Sequence, residues 1–398
     1  MMTPGTHYED FTPPSRLLLG PGPSLVHQRV LTALSQPLIG HLDPLFLKMM
    51  NEVQTLLRDT FRTKNEFTVA LSGTGSSGME AVVANLIEPG DRALVGLNGL
   101  FGSRLAAMVE RAGGTPVPIE APWGTPISVD RLAEHLSRSA PVKAVLLVHA
   151  ETSTGAWQPL DGVAALCRSH DALLIVDAVT SLGGVPVEVD AWGVDACYSG
   201  TQKCLSCPPG LAPLTLSPRA VAALRARRTP CRSWYLDLSL IADYWADERR
   251  TYHHTAPISM LYALREALRI VHEEGLPKRF ARHQQASHAL LAGLETLGLH
   301  PLPPADHRLP MLNCVTLPDH VEDAVVRTQL LTDYGIEIGG GLGPLRGRVW
   351  RIGLMGESCR QAHVLTLLRA LEEIFVGRGW LSRPGQAVQA ALNIYSRS

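Results

Sequence analysis

Short apolar runs alternate with amphipathic stretches along the first two thirds of the chain. Phe67–Leu71, Arg92–Leu97, Thr115–Ile119, Val142–Val148 and Ala172–Val176 have strand length. Val142–Val148 is nearly continuous in apolar residues, as a strand buried on both faces requires. Helical spacing appears in between. Phe46, Met49, Met50, Val53, Leu56, Leu57 and Phe61 form one apolar stripe over Leu45–Phe61. Met79–Leu86, Ser103–Arg111, Val129–Leu136 and Val163–His170 continue the alternation, and Leu211–Leu216 resumes the sheet. Repeated strand–loop–helix units predict an α/β fold with a mostly parallel sheet, whose ligands sit outside the carboxyl ends of its strands.

A break at Glu274–Pro277 separates this region from a second set of elements. These are a helix over Phe280–Leu297, a strand over Asn313–Leu317, a helix over Val321–Tyr334, a strand around Arg351 and a helix over Ala362–Phe375. The expected organisation is an irregular arm at 1–16, a large domain at 17–275, a smaller α/β domain at 276–377 and a tail at 378–398. A chain of 398 residues is long enough for two domains.

Composition narrows the function classes. Lys and Arg total 36 against 37 for Asp and Glu, which argues against a nucleic-acid partner. No apolar run is long enough to span a bilayer, and the first residues lack a basic segment followed by an apolar one. Seven scattered cysteines, an odd count, suggest reduced thiols in a cytoplasmic protein. Cys204-x-x-Cys207 has the spacing of half a metal site without a second half, so no metal is expected and packing is the competing reading.

The polar loops at the strand ends carry the candidate chemistry. Ser72–Gly78 joins a strand to a helix through small residues, a geometry that suits phosphate but also serves a plain connection. Phe101, in Asn98–Gly102, could stack on a planar ring or belong to the core. Asp177 ends an apolar run, where a carboxylate needs a cation, a hydrogen bond or a capping role. Tyr252 and Thr255 could offer hydroxyls to an anion. Arg351 alternates with Trp350 and Ile352, and could hold a carboxylate or face solvent. The run Gly20-Pro21-Gly22-Pro23 fixes backbone shape and could line a small pocket or simply turn the chain. Lys203 stands in Tyr198-Ser199-Gly200-Thr201-Gln202-Lys203, before Pro208-Pro209-Gly210. That frame suits a desolvated lysine that forms a Schiff base with pyridoxal phosphate, with Asp177 on the ring nitrogen.

Nine segments, among them LLLGPGPS at 17–24, SGTGSSGMEA at 72–81, ETSTG at 151–155, VDAVTSLGG at 176–184, YSGTQKCL at 198–205 and YHHT at 252–255, resemble the class V aminotransferases. The likeness is strongest to the branch that exchanges amino groups among alanine, serine, glyoxylate and pyruvate. It implies fold-type I architecture, pyridoxal 5′-phosphate, small amino acid and 2-oxo acid substrates, and a homodimer with shared active sites. It implies Lys203 as the Schiff-base residue, Asp177 at the ring nitrogen, Ser153 at the ring hydroxyl, and Val179 and Phe101 against the ring. Thr74, Gly75, Ser76 and Gln202 correspond to the phosphate cup, and Tyr252 and Thr255 to groups that reach it from the neighbouring subunit. Arg351 corresponds to the clamp on the substrate carboxylate, with Gly22 and Ser153 beside it. Phe101 and Ser76 depart from the tryptophan and histidine of the animal enzymes. A lyase of the cysteine desulfurase type shares the fold but needs a mobile late cysteine, for which Cys359 is the candidate. A non-catalytic protein of the same fold is the other alternative.

Overall fold

The computed structural model describes residues 9–138, 141–246 and 250–397. A seven-stranded sheet runs in the order Phe67–Ser72, Leu211–Leu216, Ala196–Tyr198, Leu173–Asp177, Ala144–Val148, Arg92–Leu97, Thr115–Glu120. Leu211–Leu216 is antiparallel to both neighbours, and the other pairings are parallel. Six strands therefore point the same way. The loops after Ser72, Leu97, Val148, Asp177 and Tyr198 emerge along one edge, as the alternation predicted. Ala144–Val148 and Leu173–Asp177 are buried throughout, which explains their unbroken apolar sequence.

Helices cover the sheet. Pro44–Phe61 begins where the Asp43 carboxylate accepts from Leu45 N at 2.8 Å, with proline in the first turn. It ends at Arg62, in the left-handed region at φ 54°. Phe46, Met50, Val53, Leu57 and Phe61 bury one face, each contributing about 1.5–3 kcal/mol.

A second hydrophobic core lies around Trp350, Ile352, Leu367, Leu371 and Phe375. Its antiparallel sheet runs His300–Pro301, Leu312–Thr316, Val349–Gly353, Gly339–Gly340. Two features differ from the expected organisation. Leu17–Leu18 pairs in parallel with Ile336–Glu337, and Leu19 is buried in the second core. The Gly353 amide donates to Leu19 O at 2.8 Å. Leu17–Leu19 thus lie against the second core, and the chain crosses to the large sheet after them. Beyond Gly377, where a tail was expected, Gln386–Tyr395 forms a helix. Ala387 and Ala391 are buried, and Glu372 accepts from Ala387 N at 2.6 Å. A Cβ on Gly293 would lie 2.9 Å from Ala387 O, so the close approach to helix Leu276–Glu295 depends on small residues. Such residues give little periodic signal. Helix Leu276–Glu295 itself starts directly after Gly275, earlier than expected, because Pro277 is tolerated in a first turn.

Candidate active site

Lys203 lies in the turn between strands Ala196–Tyr198 and Leu211–Leu216, at the loop edge of the sheet. Its backbone is tied to three parts of the chain. Ser24 N donates to Gln202 O at 2.9 Å, and Ser24 Oγ donates to Lys203 O at 2.9 Å. Ser24 Oγ has then spent its proton, so it accepts from Ser206 Oγ at 3.1 Å, which in turn accepts from Glu357 N at 2.7 Å. Arg279, almost fully buried, donates to Gly183 O and to Cys204 O. The Lys203 ammonium donates to Pro21 O. A Cβ on Gly22, at φ +106°, would sit 2.5 Å from Nζ, so only glycine leaves the amine its space.

Burial, and next the charge of Arg351, lower the Lys203 pKa to about 8. At pH 7 roughly one amine in ten is then neutral, against fewer than one in a thousand at an ordinary lysine pKa. The neutral form is the nucleophile. The rate at which cofactor-free protein takes up an aldehyde cofactor should therefore rise with pH and level off above about 8. Stopped-flow absorbance reads this rate, and a rise continuing beyond pH 10 would mean that Lys203 is not desolvated.

Asp177 closes strand Leu173–Asp177 and is 3 % exposed. Its carboxylate accepts from Val179 N at 2.8 Å and from the Tyr198 hydroxyl at 2.9 Å. Burial nevertheless raises its pKa to about 6, and the nearby Glu151 charge adds to the rise. No helix begins at this residue, so capping does not explain it. A cation in front of the carboxylate would remove the cost of burying its charge, and a protonated pyridine nitrogen is such a cation. Val179 packs against Gly75, where a Cβ would be 3.2 Å from Val179 Cγ2.

Glu151 was given no role in the sequence reading, yet it organises one wall. Its Oε1 accepts from Ser153 N at 3.0 Å and Ser153 Oγ at 2.5 Å; its Oε2 accepts from Phe101 N at 3.1 Å and Gly102 N at 3.4 Å. Leu100 N donates to Ser153 Oγ at 3.0 Å. One buried carboxylate therefore ties Ser153 to the first turn of helix Leu100–Arg111, which carries Phe101. Burial pushes the Glu151 pKa up while these four donors pull it down. The available signal was a glutamate inside an otherwise uncharged strand end.

At the opposite end, Thr74 precedes helix Gly75–Leu86 without a side-chain capping bond; the Ser77 amide donates to Thr74 O at 2.7 Å, and the Gly75 and Ser76 amides are the ones placed to meet an anion. Gln202 Oε1 is buried without a hydrogen-bond partner. Tyr252 is 59 % exposed, with its hydroxyl 3.4 Å from Thr255 Oγ1. Among the described residues no hydrogen bond joins these two to the Thr74–Ser76 loop. Arg351 is 7 % exposed, with Nε donating to Gly340 O at 2.8 Å and Nη1 to Thr152 O at 3.3 Å. It has carbonyl partners but, among the described residues, no ion-paired carboxylate.

The cysteines are unsuited to reaction. Cys204 and Cys207 are buried, and burial pushes both thiols up to about 12. Cys359 is fully buried and pushed up to about 11 by burial, with its thiol on Arg282 O. It lacks the exposure and acidity that a desulfurase nucleophile needs. Among the described residues no cluster of His, Cys, Asp and Glu could hold a metal ion.

Comparison with known proteins agrees with this geometry. Residues 17–346 match the family Aminotransferase class-V. The chain is 41 % identical to the (S)-ureidoglycine–glyoxylate transaminase of Bacillus subtilis (strain 168), covering 97 % of this chain and 96 % of that one. It is 40 % identical to the alanine–glyoxylate aminotransferase of Oryctolagus cuniculus, covering 90 % and 92 %. The crystal structure of an alanine–glyoxylate aminotransferase from Nostoc sp. superposes with a TM-score of 0.91 at 50 % identity, covering 93 % and 98 %. The architecture is fold type I, and the cofactor is pyridoxal 5′-phosphate. A buried carboxylate at Asp177, an uncapped helix start at Gly75 and a desolvated lysine at Lys203 are the kinds of group that the cofactor's ring, phosphate and aldehyde require. By sequence, by fold and by the fit of these residues, the chain belongs to the class-V aminotransferases.

Proposed function

We propose that this aminotransferase moves the amino group of a small donor, alanine or serine, to glyoxylate or pyruvate by a ping-pong mechanism. The observation that carries the substrate class is Arg351, a buried guanidinium with carbonyl partners only, whose charge is felt at Lys203. A guanidinium in that state is matched by one carboxylate, as in an α-amino acid or a 2-oxo acid. (S)-Ureidoglycine, the donor named for the Bacillus subtilis relative, also carries a carboxylate and is the second candidate.

Bound pyridoxal phosphate supplies a cationic ring that accepts the electrons left when the substrate Cα loses its proton. The protein's residues do the rest. Lys203 would hold the cofactor covalently through Nζ, and its amine, when free, would act as the general base for the substrate Cα proton. Asp177 keeps the ring nitrogen protonated. Ser153 would meet the ring hydroxyl, and Val179 and Phe101 would pack against the ring. Thr74, Gly75, Ser76 and Gln202 hold the phosphate. Gly22, which carries no side chain towards Lys203 Nζ, would leave room for the substrate beside the amine, and Ser153 would border it.

Arg351→Gln should raise KM for donor and acceptor alike, by roughly 10–100-fold, the worth of a lost charge-assisted pair. Covalent attachment of the cofactor to Lys203 should persist, because Arg351 faces the substrate; steady-state kinetics with absorbance spectra read both. Comparing kcat/KM for alanine, serine and (S)-ureidoglycine with glyoxylate as acceptor tests the substrate assignment. Activity confined to dicarboxylic donors would contradict it.

We further propose a homodimer with shared sites. Leu38, Leu42 and Leu45 are exposed on either side of His41, whose ring lies 5.4 Å from Tyr252. Exposed Trp234 stacks on His253 next to it. Exposed apolar side chains close to Tyr252 suit a second copy that would receive the Tyr252 and Thr255 hydroxyls at its phosphate. Light scattering should give twice the chain mass, and a monomeric active enzyme would refute the arrangement. All seven cysteines are free thiols, which fits a reducing compartment such as the cytoplasm. No helix among the described residues is long and apolar enough to cross a membrane. Fractionation of the source cells tests the compartment.

A further inference from the structure

The phosphate loop has a shortfall of charge. Thr74, Gly75, Ser76 and Gln202 are neutral, whereas a phosphate monoester carries about −1.5 to −2 at pH 7. A helix start supplies only about half a unit of positive charge. A full cation stands next to this loop. Arg104, one turn along helix Leu100–Arg111 from Phe101, has Nη1 3.4 Å from Ser76 Oγ. Its guanidinium lies over the Phe101 ring, 4.8 Å from the centroid. Among the described residues Arg104 has no carboxylate partner, whereas Arg219 is paired with Asp195 and Arg265 with Glu52. Its charge is also felt at the Tyr198 hydroxyl, which bonds Asp177. The Phe101 face seats the guanidinium over the ring, beside the phosphate loop.

We propose that Arg104 is a cofactor-binding residue that supplies the positive charge for the phosphate, from a seat on the outer face of the ring-stacking Phe101. This rests on the pyridoxal phosphate assignment. It makes helix Leu100–Arg111 a two-part element, with Phe101 directed to the ring and Arg104 to the phosphate. Glu151 holds the first turn of that helix, so both contacts are set by one buried carboxylate.

The test compares cofactor-free wild type, Arg104→Gln and Arg104→Lys for binding of pyridoxal phosphate and of pyridoxal, which lacks the phosphate. Arg104→Gln should weaken pyridoxal phosphate by roughly 10–100-fold and leave pyridoxal unchanged. Arg104→Lys should recover most of the loss. Inorganic phosphate should raise the melting temperature of the cofactor-free wild type and not that of Arg104→Gln. Equal losses for the two ligands, or no loss for either, would overturn the proposal. If Arg104→Gln fails to fold, the wild type decides: raised salt should weaken pyridoxal phosphate and spare pyridoxal, and equal salt effects would overturn the assignment. A wild type that binds neither ligand would instead refute the cofactor assignment itself.

Discussion

Lys203→Ala should lose the visible absorbance of covalently held cofactor, and its turnover should fall below about 10⁻⁴ of wild type. Two functions disappear together, the covalent attachment and the proton transfer at Cα, and the second alone is worth roughly 10²–10⁴-fold. The fold should persist, because the turn is held by backbone bonds from Ser24 and Arg279 rather than by the amine. Lys203→Met, which keeps the volume, separates stability from chemistry. The Lys203 pKa is about 8 in the folded chain, below its unfolded value of 10.5. The ammonium therefore opposes folding fully below pH 8, and the penalty fades between 8 and 10.5. Cofactor-free Lys203→Met should melt higher than cofactor-free wild type at pH 7, with the gap closing towards pH 10. Retained absorbance and turnover in Lys203→Ala would sink the assignment of this residue.

Asp177→Asn should have the next largest effect. Asparagine can keep both local bonds, with Oδ1 accepting from Val179 N and Nδ2 donating to the Tyr198 oxygen. The geometry survives while the negative charge is lost. The ring nitrogen then has no anion to hold its proton, and turnover should fall by roughly 10²–10⁴-fold with the cofactor still attached to Lys203. In the cofactor-free chain the sign on stability is opposite. The Asp177 pKa is raised to about 6, so its stabilising contribution is present below the unfolded carboxylate range and lost as pH rises through 6. Above that pH, cofactor-free Asp177→Asn should melt higher than wild type. Turnover within tenfold of wild type would contradict the electronic role.

The sheet was legible because strands buried on both faces, such as Ala144–Val148, must be continuously apolar, and because loop, strand and helix alternate at fixed lengths. The loop edge that gathers Ser72, Asp177 and Lys203 follows from that alternation. The pairing of Leu17–Leu18 with Ile336–Glu337 was not legible, since a two-residue strand has no period and its partner is over 300 residues away. The helix Gln386–Tyr395 was missed because Ala387 and Ala391 make a weak stripe. In the site, residues inside glycine-rich or polar loops stood out against their surroundings. Glu151 and Arg104 did not, because their roles depend on which helix end and which ring the fold sets beside them.

The most direct measurement is a single turnover of cofactor-loaded protein with excess amino donor and no acceptor. The account predicts that the visible band attached to Lys203 is lost and that one equivalent of 2-oxo acid per active site is released, after which the reaction stops. Adding glyoxylate or pyruvate should restore the band with one equivalent of new amino acid. Continuous product release without an acceptor, or sulfide from cysteine, would contradict it and mark a lyase.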